Sequence, residues 1–166
     1  MKKPIGLAIA LFAALSFAQG WRTITVRDAG LSFSMPVLPQ ASKRTDQDRN
    51  VVVQTRMWVG SQPNTNYVVI ASTVPPNAPA GFAKNMKEGM LKGFLNSTGS
   101  KVDSDKDASY GKVKGRQITF TSAAGAKGAL WIVERGRRIY SLSMARQKGA
   151  IDPDRAKFFG SLKLYD

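Results

Sequence analysis

The sequence predicts an α+β domain, an antiparallel sheet covered by one long and one short helix. Three observations carry this. Strand-like alternation of apolar and polar residues occurs before residue 75 and returns after residue 100. Between these regions Phe82, Met86, Met90 and Phe94 recur every four residues, the period of a helix. Near the end, Asp152-Pro153-Asp154 precedes a run with Ala156, Phe158 and Phe159, the pattern of a short capped helix.

The elements follow in order. Lys2 and Lys3 give a basic start, Ile5 to Phe17 form an apolar run, and small residues close it at Ser16-Phe17-Ala18 or Ala18-Gln19-Gly20. That order is expected of a secretory signal peptide over residues 1–20, whose apolar run is too short to span a bilayer permanently. Residues 21–166 then form a single exported domain, periplasmic or extracellular, of a size that buries roughly 68–70% of its unfolded surface. The chain has no cysteine, so it has neither disulfides nor the lipid-accepting thiol of a lipoprotein. No later apolar stretch approaches membrane-spanning length, since Val68 to Val74 and Leu130 to Val133 are strand-sized.

Trp21 to Val26 and Leu31 to Met35 read as strands across the turn Asp28-Ala29-Gly30, with Leu31, Phe33 and Met35 on one face. Pro36 and Pro39 end the second. Gln40 to Asn50 is polar and reads as a loop. Val51 to Val59 and Asn66 to Val74 form a further antiparallel pair around a Gly-Ser-Gln-Pro-Asn turn. Ala80 to Ser97 is the long helix, preceded by Pro75, Pro76 and Pro79, followed by Gly99, and supported weakly by a Glu88–Lys92 pair. Gly89 and Gly93 lower its intrinsic propensity, so packing must hold it. Strand periodicity returns at Lys101. Its clearest elements are Gln117 to Ser122, Gly128 to Glu134 and Arg137 to Met144, three consecutive antiparallel strands joined at Ala123 to Ala126 and at Arg135-Gly136.

Several of these segments together resemble a known family. They are Gly30-Leu31-Ser32-Phe33-Ser34-Met35-Pro36 with Pro39, the central helix, Gly115-Arg116 opening a strand, Arg138-Ile139-Tyr140-Ser141-Leu142, and Phe158-Phe159-Gly160-Ser161-Leu162. The pattern is similar to the PsbP-like group, which spans the extrinsic PsbP proteins of photosystem II, the Ran-binding nuclear import factor of fungi, and bacterial envelope proteins such as DcrB. The resemblance covers nearly the whole of 21–166. It implies an antiparallel sheet under helices, in proteins that bind other macromolecules and are not known for catalysis. The matched positions are scaffold, so no functional residue carries over, and fold does not fix function.

The residues themselves point away from enzymes. There is no histidine, which removes the commonest general base and metal ligand and every Ser-His or Cys-His nucleophile. Ser97, Ser100 and Lys101 lie close together but carry no motif, and read as a polar helix end. Asp103, Asp105 and Asp107 have calcium-loop spacing, yet Ala108 stands where the loop needs glycine and Lys114 where it needs glutamate. Gly111-Lys112-Val113-Lys114-Gly115 is too short for a phosphate-binding loop. No cofactor and no metal site is expected.

The charge is the remaining signal. The chain carries +14, or +12 without Lys2 and Lys3, since residues 1–20 hold no acid. Such an excess keeps an exported protein soluble or serves an anionic partner. Lys112, Lys114 and Arg116 alternate along an extended segment, and Arg135, Arg137 and Arg138 cluster at a hairpin tip; these six are the candidate site for an anion or a partner. Parity puts the first three with Ile118 and Phe120, so either a bulge near Gly115 resets the register or the cations lie beyond the edge of the core. Trp131 and Tyr140 alternate with core residues, whereas Trp58 shares a face with Gln54 and Arg56 and is the candidate exposed aromatic. The expected function is a non-enzymatic accessory or binding domain for a macromolecular partner, a protein or other component of the cell envelope. The alternative is electrostatic binding of an extracellular polyanion, nucleic acid or an acidic surface polymer. An enzyme working without His or Cys is the lesser alternative.

Overall fold

The alternating segments pair into two sheets that enclose the main core. The structure is a computed structural model describing residues 20–48, 51–147 and 154–165. The smaller sheet holds β1 (Arg22–Val26), β2 (Leu31–Met35) and β10 (Lys163–Leu164) in the order β1-β2-β10. The larger has seven strands: β3 (Gln40–Asp48), β4 (Val51–Gln62), β5 (Thr65–Thr73), β6 (Lys101–Tyr110), β7 (Val113–Thr121), β8 (Lys127–Arg135) and β9 (Arg138–Arg146). Its order is β3-β4-β5-β9-β8-β7-β6, antiparallel throughout. Helices α1 (Phe82–Thr98) and α2 (Arg155–Gly160) complete the fold.

Side-chain alternation along each strand supplies the two faces of the large sheet. One face presents Trp58, Tyr67, Val69, Trp131, Tyr140 and Leu142 to the small sheet and to Phe158 and Phe159 of α2, all buried. Leu31, Phe33 and Met35 close this core from the other side, as their shared face predicts. The opposite face presents Ile118, Phe120, Leu130, Ile132 and Ile139 to α1. Within α1 only Leu91 is fully buried; the four-residue stripe of Phe82, Met86, Met90 and Phe94 packs on this second core but stays half-buried. Gly99 ends the helix with φ +57°, where its N–H reaches back to Asn96 O.

The expected α+β architecture is present, with corrections that share a cause. Gln40 to Asp48 is a strand and no loop, because every residue in it pairs with one of β4, from Gln40↔Val59 to Asp48↔Val51. It is an edge strand, and charges such as Lys43, Arg44 and Asp46 are what an edge carries to resist pairing with other molecules. The opposite edge, β6, is equally polar, and it extends the three late strands to four. The hairpin between β8 and β9 turns at Gly136-Arg137, one residue later than expected, with Gly136 at φ +59°. β4 runs on to Gln62 and turns through Pro63-Asn64.

Two local expectations change as well. The N-cap of α2 is Asp154, whose side chain makes no capping bond, while its carbonyl accepts from Phe158 N at 2.7 Å. Asp152 and Pro153, assigned that role from sequence, lie outside the described residues, as do residues 1–19 of the expected signal peptide. Glu88 is drawn away from Lys92 and accepts from Arg116 Nη1 at 2.8 Å. Among the described residues no helix is long and apolar enough to cross a membrane.

Candidate functional site

Strand register decides whether the six candidate cations meet. The β6–β7 turn closes at Tyr110↔Val113 and the β8–β9 turn at Arg135↔Arg138. Pairing of β7 with β8 stops at Arg116↔Ile132, so both turns lie at the same end of the large sheet. Lys112, Lys114, Arg135, Arg137 and Arg138 therefore share one end, although they come from hairpins more than twenty residues apart. The register of β7 is regular through Gly115, and the irregularity in the β6–β7 pairing lies at Val102/Ser104, toward the opposite end of the hairpin. Of the two possibilities left open by parity, the cations lying past the core's edge is the one realised.

The six do not remain equivalent. Arg116 is neutralised: Nε and Nη2 donate to Asp105 at 2.8 and 2.6 Å, and Nη1 donates to Glu88. Arg138 lays its guanidinium on Gly30, where a Cβ would sit 1.8 Å from Nη1, and Gly30 itself has φ +67°. Arg135 Nη1 donates to Leu164 O at 3.1 Å and so helps hold the C-terminal strand. These two arginines, with Thr73, Arg137, Tyr140 and Tyr165, line a shallow hollow of about 320 Å³. Lys112, Lys114 and Arg137 are exposed and form no ion pair among the described residues.

A second cleft, of about 580 Å³, lies where the first turns of α1 meet β6, β7 and β8. Lys84, Lys114 and Asp107 line it beside the Arg116–Glu88 pair and an ion pair between Lys87 and Glu134. Lys84 is not among the six candidates that the sequence names, because nothing in the helical period says which sheet end that side of α1 overhangs. The hydrogen bonds from Arg116 hold the Asp105 carboxyl below the ordinary aspartate range, against the opposing effect of its partial burial. A depressed carboxyl contributes stability above its unfolded value and loses it as pH falls through the folded one. In Arg116→Gln the Asp105 midpoint, followed by carboxyl ¹³C shifts, is expected to rise toward the ordinary value. An unchanged midpoint would refute the pairing.

The remaining candidates resolve into structure. Trp58 is a correction: it is only 6% exposed and packs against Phe33, ring centroids 5.5 Å apart. The face it shares with Arg56 is the one roofed by the small sheet, and Arg56 reaches out of that roof to Asp28 at 2.5 Å. Sequence parity cannot tell a solvated face from one covered by a second sheet. Trp131 and Tyr140 are fully buried, as expected. Asp103 and Asp105 sit on the extended strand β6 and accept from Thr121 and Arg116, and among the described residues no three acidic groups converge on a metal position. Ser97 Oγ donates to Phe94 O and Thr98 Oγ1 shares a 2.6 Å hydrogen bond with Ser100, a polar helix end.

No protein-family model matches the chain, and no curated protein matches it. Among solved structures, the solution structure of cyanobacterial PsbP (CyanoP) from Synechocystis sp. PCC 6803 is similar at a TM-score of 0.58 and 12% identity. That similarity covers 98% of this chain and 100% of the other. A protein from Bacteroides thetaiotaomicron is similar at a TM-score of 0.46 and 14% identity, over 82% of this chain and 46% of the other. The fold is therefore PsbP-like, as the scaffold residues suggested.

Proposed function

We propose that this chain is an exported, non-enzymatic accessory domain that engages a macromolecular partner at the cell envelope through the cationic end of its large sheet. One observation carries the reading. Hairpins separated in sequence bring Lys112, Lys114, Arg135, Arg137 and Arg138 to one end, and three of them make no ion pair among the described residues. Cations left uncompensated on one side of a domain attract an anionic face and accelerate its capture. The signal-like residues 1–20 and the PsbP-like fold support export and accessory binding. The absence of histidine and cysteine argues against the usual covalent and acid–base chemistries.

The same cations favour a second reading, capture of an extracellular polyanion. Salt separates the two. A polyanion releases counterions, so log K falls linearly with log salt, and each phosphate-contacting cation removed lowers the slope by about 1. With a double-stranded DNA probe, Lys112→Glu, Lys114→Glu and Arg137→Glu together are expected to flatten the slope by about 3 if polyanion binding is the function. A wild-type slope near zero, with envelope proteins cross-linked in whole cells, favours the protein partner. Reversal of the three charges without effect on either measurement would overturn both readings.

A further inference from the structure

Residues directly opposite one another on paired strands share a face, so the register sets whole rows of side chains across the large sheet. At the end away from the β6–β7 and β8–β9 turns, the last row reads Lys101, Thr121, Lys127, Arg146 and Thr65, on β6, β7, β8, β9 and β5 in turn. It lies on the face of the main core, because Ala129 and Met144, two residues inward of Lys127 and Arg146, are buried there. It is the opposite end of the sheet from the six cations described above.

No residue of this row is acidic, and three are cations. Lys127 and Arg146 stand directly opposed, an arrangement that costs a sheet stability. Lys101, Lys127 and Arg146 make no ion pair among the described residues. The carboxylate that reaches the row, that of Asp103, accepts instead from Thr121 Oγ1 at 2.8 Å. Lys101 and Lys127 are exposed and Arg146 is half-buried. At about 4.8 Å per strand the charge is spread over about 14 Å, which suits a surface of many anions better than a single one.

The same end carries apolar side chains beside the cations. Val37 lies over Gly60, where an added Cβ would sit 2.7 Å from its Cγ2, and Gly60 pairs with Tyr67, in the same-face row next to that of Arg146. Leu38 follows in the Pro36-Val37-Leu38-Pro39 connection, whose prolines restrict it. It is 73% exposed, the most exposed large apolar residue among those described. Trp21 stands edge-on to Tyr67 at 6.2 Å, half-buried, with Lys157 Nζ 4.6 Å from its ring centre. Cations beside an exposed leucine and an indole are the composition of a bilayer contact, charge for anionic headgroups and apolar groups for the layer beneath them. A nucleic acid or acidic glycan would answer the cations and leave Leu38 in water.

We propose that this end of the domain docks on a bilayer surface rich in anionic phospholipid, with Lys101, Lys127 and Arg146 on the headgroups and Leu38 and Trp21 in the interface. The proposal goes beyond the protein-partner reading. It holds the domain to a membrane by one end and leaves Lys112, Lys114 and Arg137 for the partner at the other, about 27 Å away along β8.

The test is co-sedimentation of the protein, purified after export by its own cells, with vesicles of equal parts phosphatidylglycerol and phosphatidylcholine, and with phosphatidylcholine alone. Binding is expected to the anionic vesicles only and to weaken with salt. Each cation near such a surface is worth about fivefold, so Lys101→Gln, Lys127→Gln and Arg146→Gln together are expected to cut binding about a hundredfold. Leu38→Ser is expected to cut it about tenfold without lowering the melting temperature, since the side chain is exposed. Lys127→Glu separates docking from folding: opposite charges then face each other across β8 and β9, so this variant should melt no lower than wild type and bind more weakly than Lys127→Gln. Trp58 and Trp131 are buried, so a blue shift of tryptophan emission on the vesicles reports Trp21. Equal binding to neutral vesicles, full binding by the triple glutamine variant, no response to Leu38→Ser, or an unshifted emission from bound protein each overturns the docking. Loss of vesicle binding in the Lys112→Glu, Lys114→Glu and Arg137→Glu variant, whose row is intact, also overturns it by placing the contact at the other end. No binding to either vesicle overturns the docking and leaves the partner reading standing.

Discussion

Phe159→Ala is expected to remove about 3–5 kcal/mol of folding stability, the cost of deleting a fully buried aromatic side chain. The ring is completely buried and lies among Tyr110, Trp131 and Phe158 at centroid separations of 5.3, 5.9 and 5.5 Å. α2 has six residues, far below the length at which a helix persists alone, and its N-cap makes no side-chain capping bond to the first turn. Packing of Phe158 and Phe159 therefore holds the helix, and the helix in turn positions Ser161, whose Oγ accepts from Ser34 N at 2.9 Å, and the β10 pairing with β2. Domains of this size have about 5–15 kcal/mol in total, so the variant should melt at least ~6 °C lower. The half-buried Phe82→Ala should cost less than half as much. If urea titration found Phe159→Ala within about 1 kcal/mol of the wild type, the proposed role of α2 in closing the main core would be wrong.

Residues such as Phe159 were legible in the sequence because they sit in apolar runs with a clear period. So were β1, β2, β5, β8 and β9, whose faces alternate against a core, and α1, whose stripe recurs every four residues. The edge strands were harder. β3 and the early part of β6 bury little, so their pattern is that of a polar loop, and only backbone pairing with β4 and β7 makes them strands. The same limit explains Trp58: parity groups residues by face but does not say whether that face meets water or another sheet. The cations illustrate the converse. Spacing could name six, but only the register of β7 against β8 brings both hairpins to one end, and only side-chain geometry assigns Arg116 to Asp105 and Glu88.

Glycine supplies the second large effect, and its sign depends on place. At Gly115 an added Cβ would lie 2.4 Å from Ile132 O, 2.6 Å from Trp131 Nε1 and 2.9 Å from Val133 Cγ2. Two of these belong to a buried strand and an indole that cannot retreat, since Trp131 is enclosed by Tyr110 and Phe159. Among the described residues Trp131 Nε1 is buried without an acceptor, so packing, and not a hydrogen bond, determines where the ring lies against Gly115. Gly115→Val should therefore cost more than about 3 kcal/mol, the upper range for overpacking, and should separate β7 from β8 where their pairing stops at Arg116↔Ile132. Amide exchange is expected to quicken first there, and the positions of Lys112 and Lys114 relative to Arg137 should loosen with it. Gly89→Ala should do the reverse, adding about 0.5–1 kcal/mol, because the site is open and helical. Urea melts of the two variants provide the comparison. Equal destabilisation would mean that glycine serves conformation at both positions. Opposite signs would mean that Gly115 exists for close strand packing inside the domain, and that no such packing requires glycine at position 89.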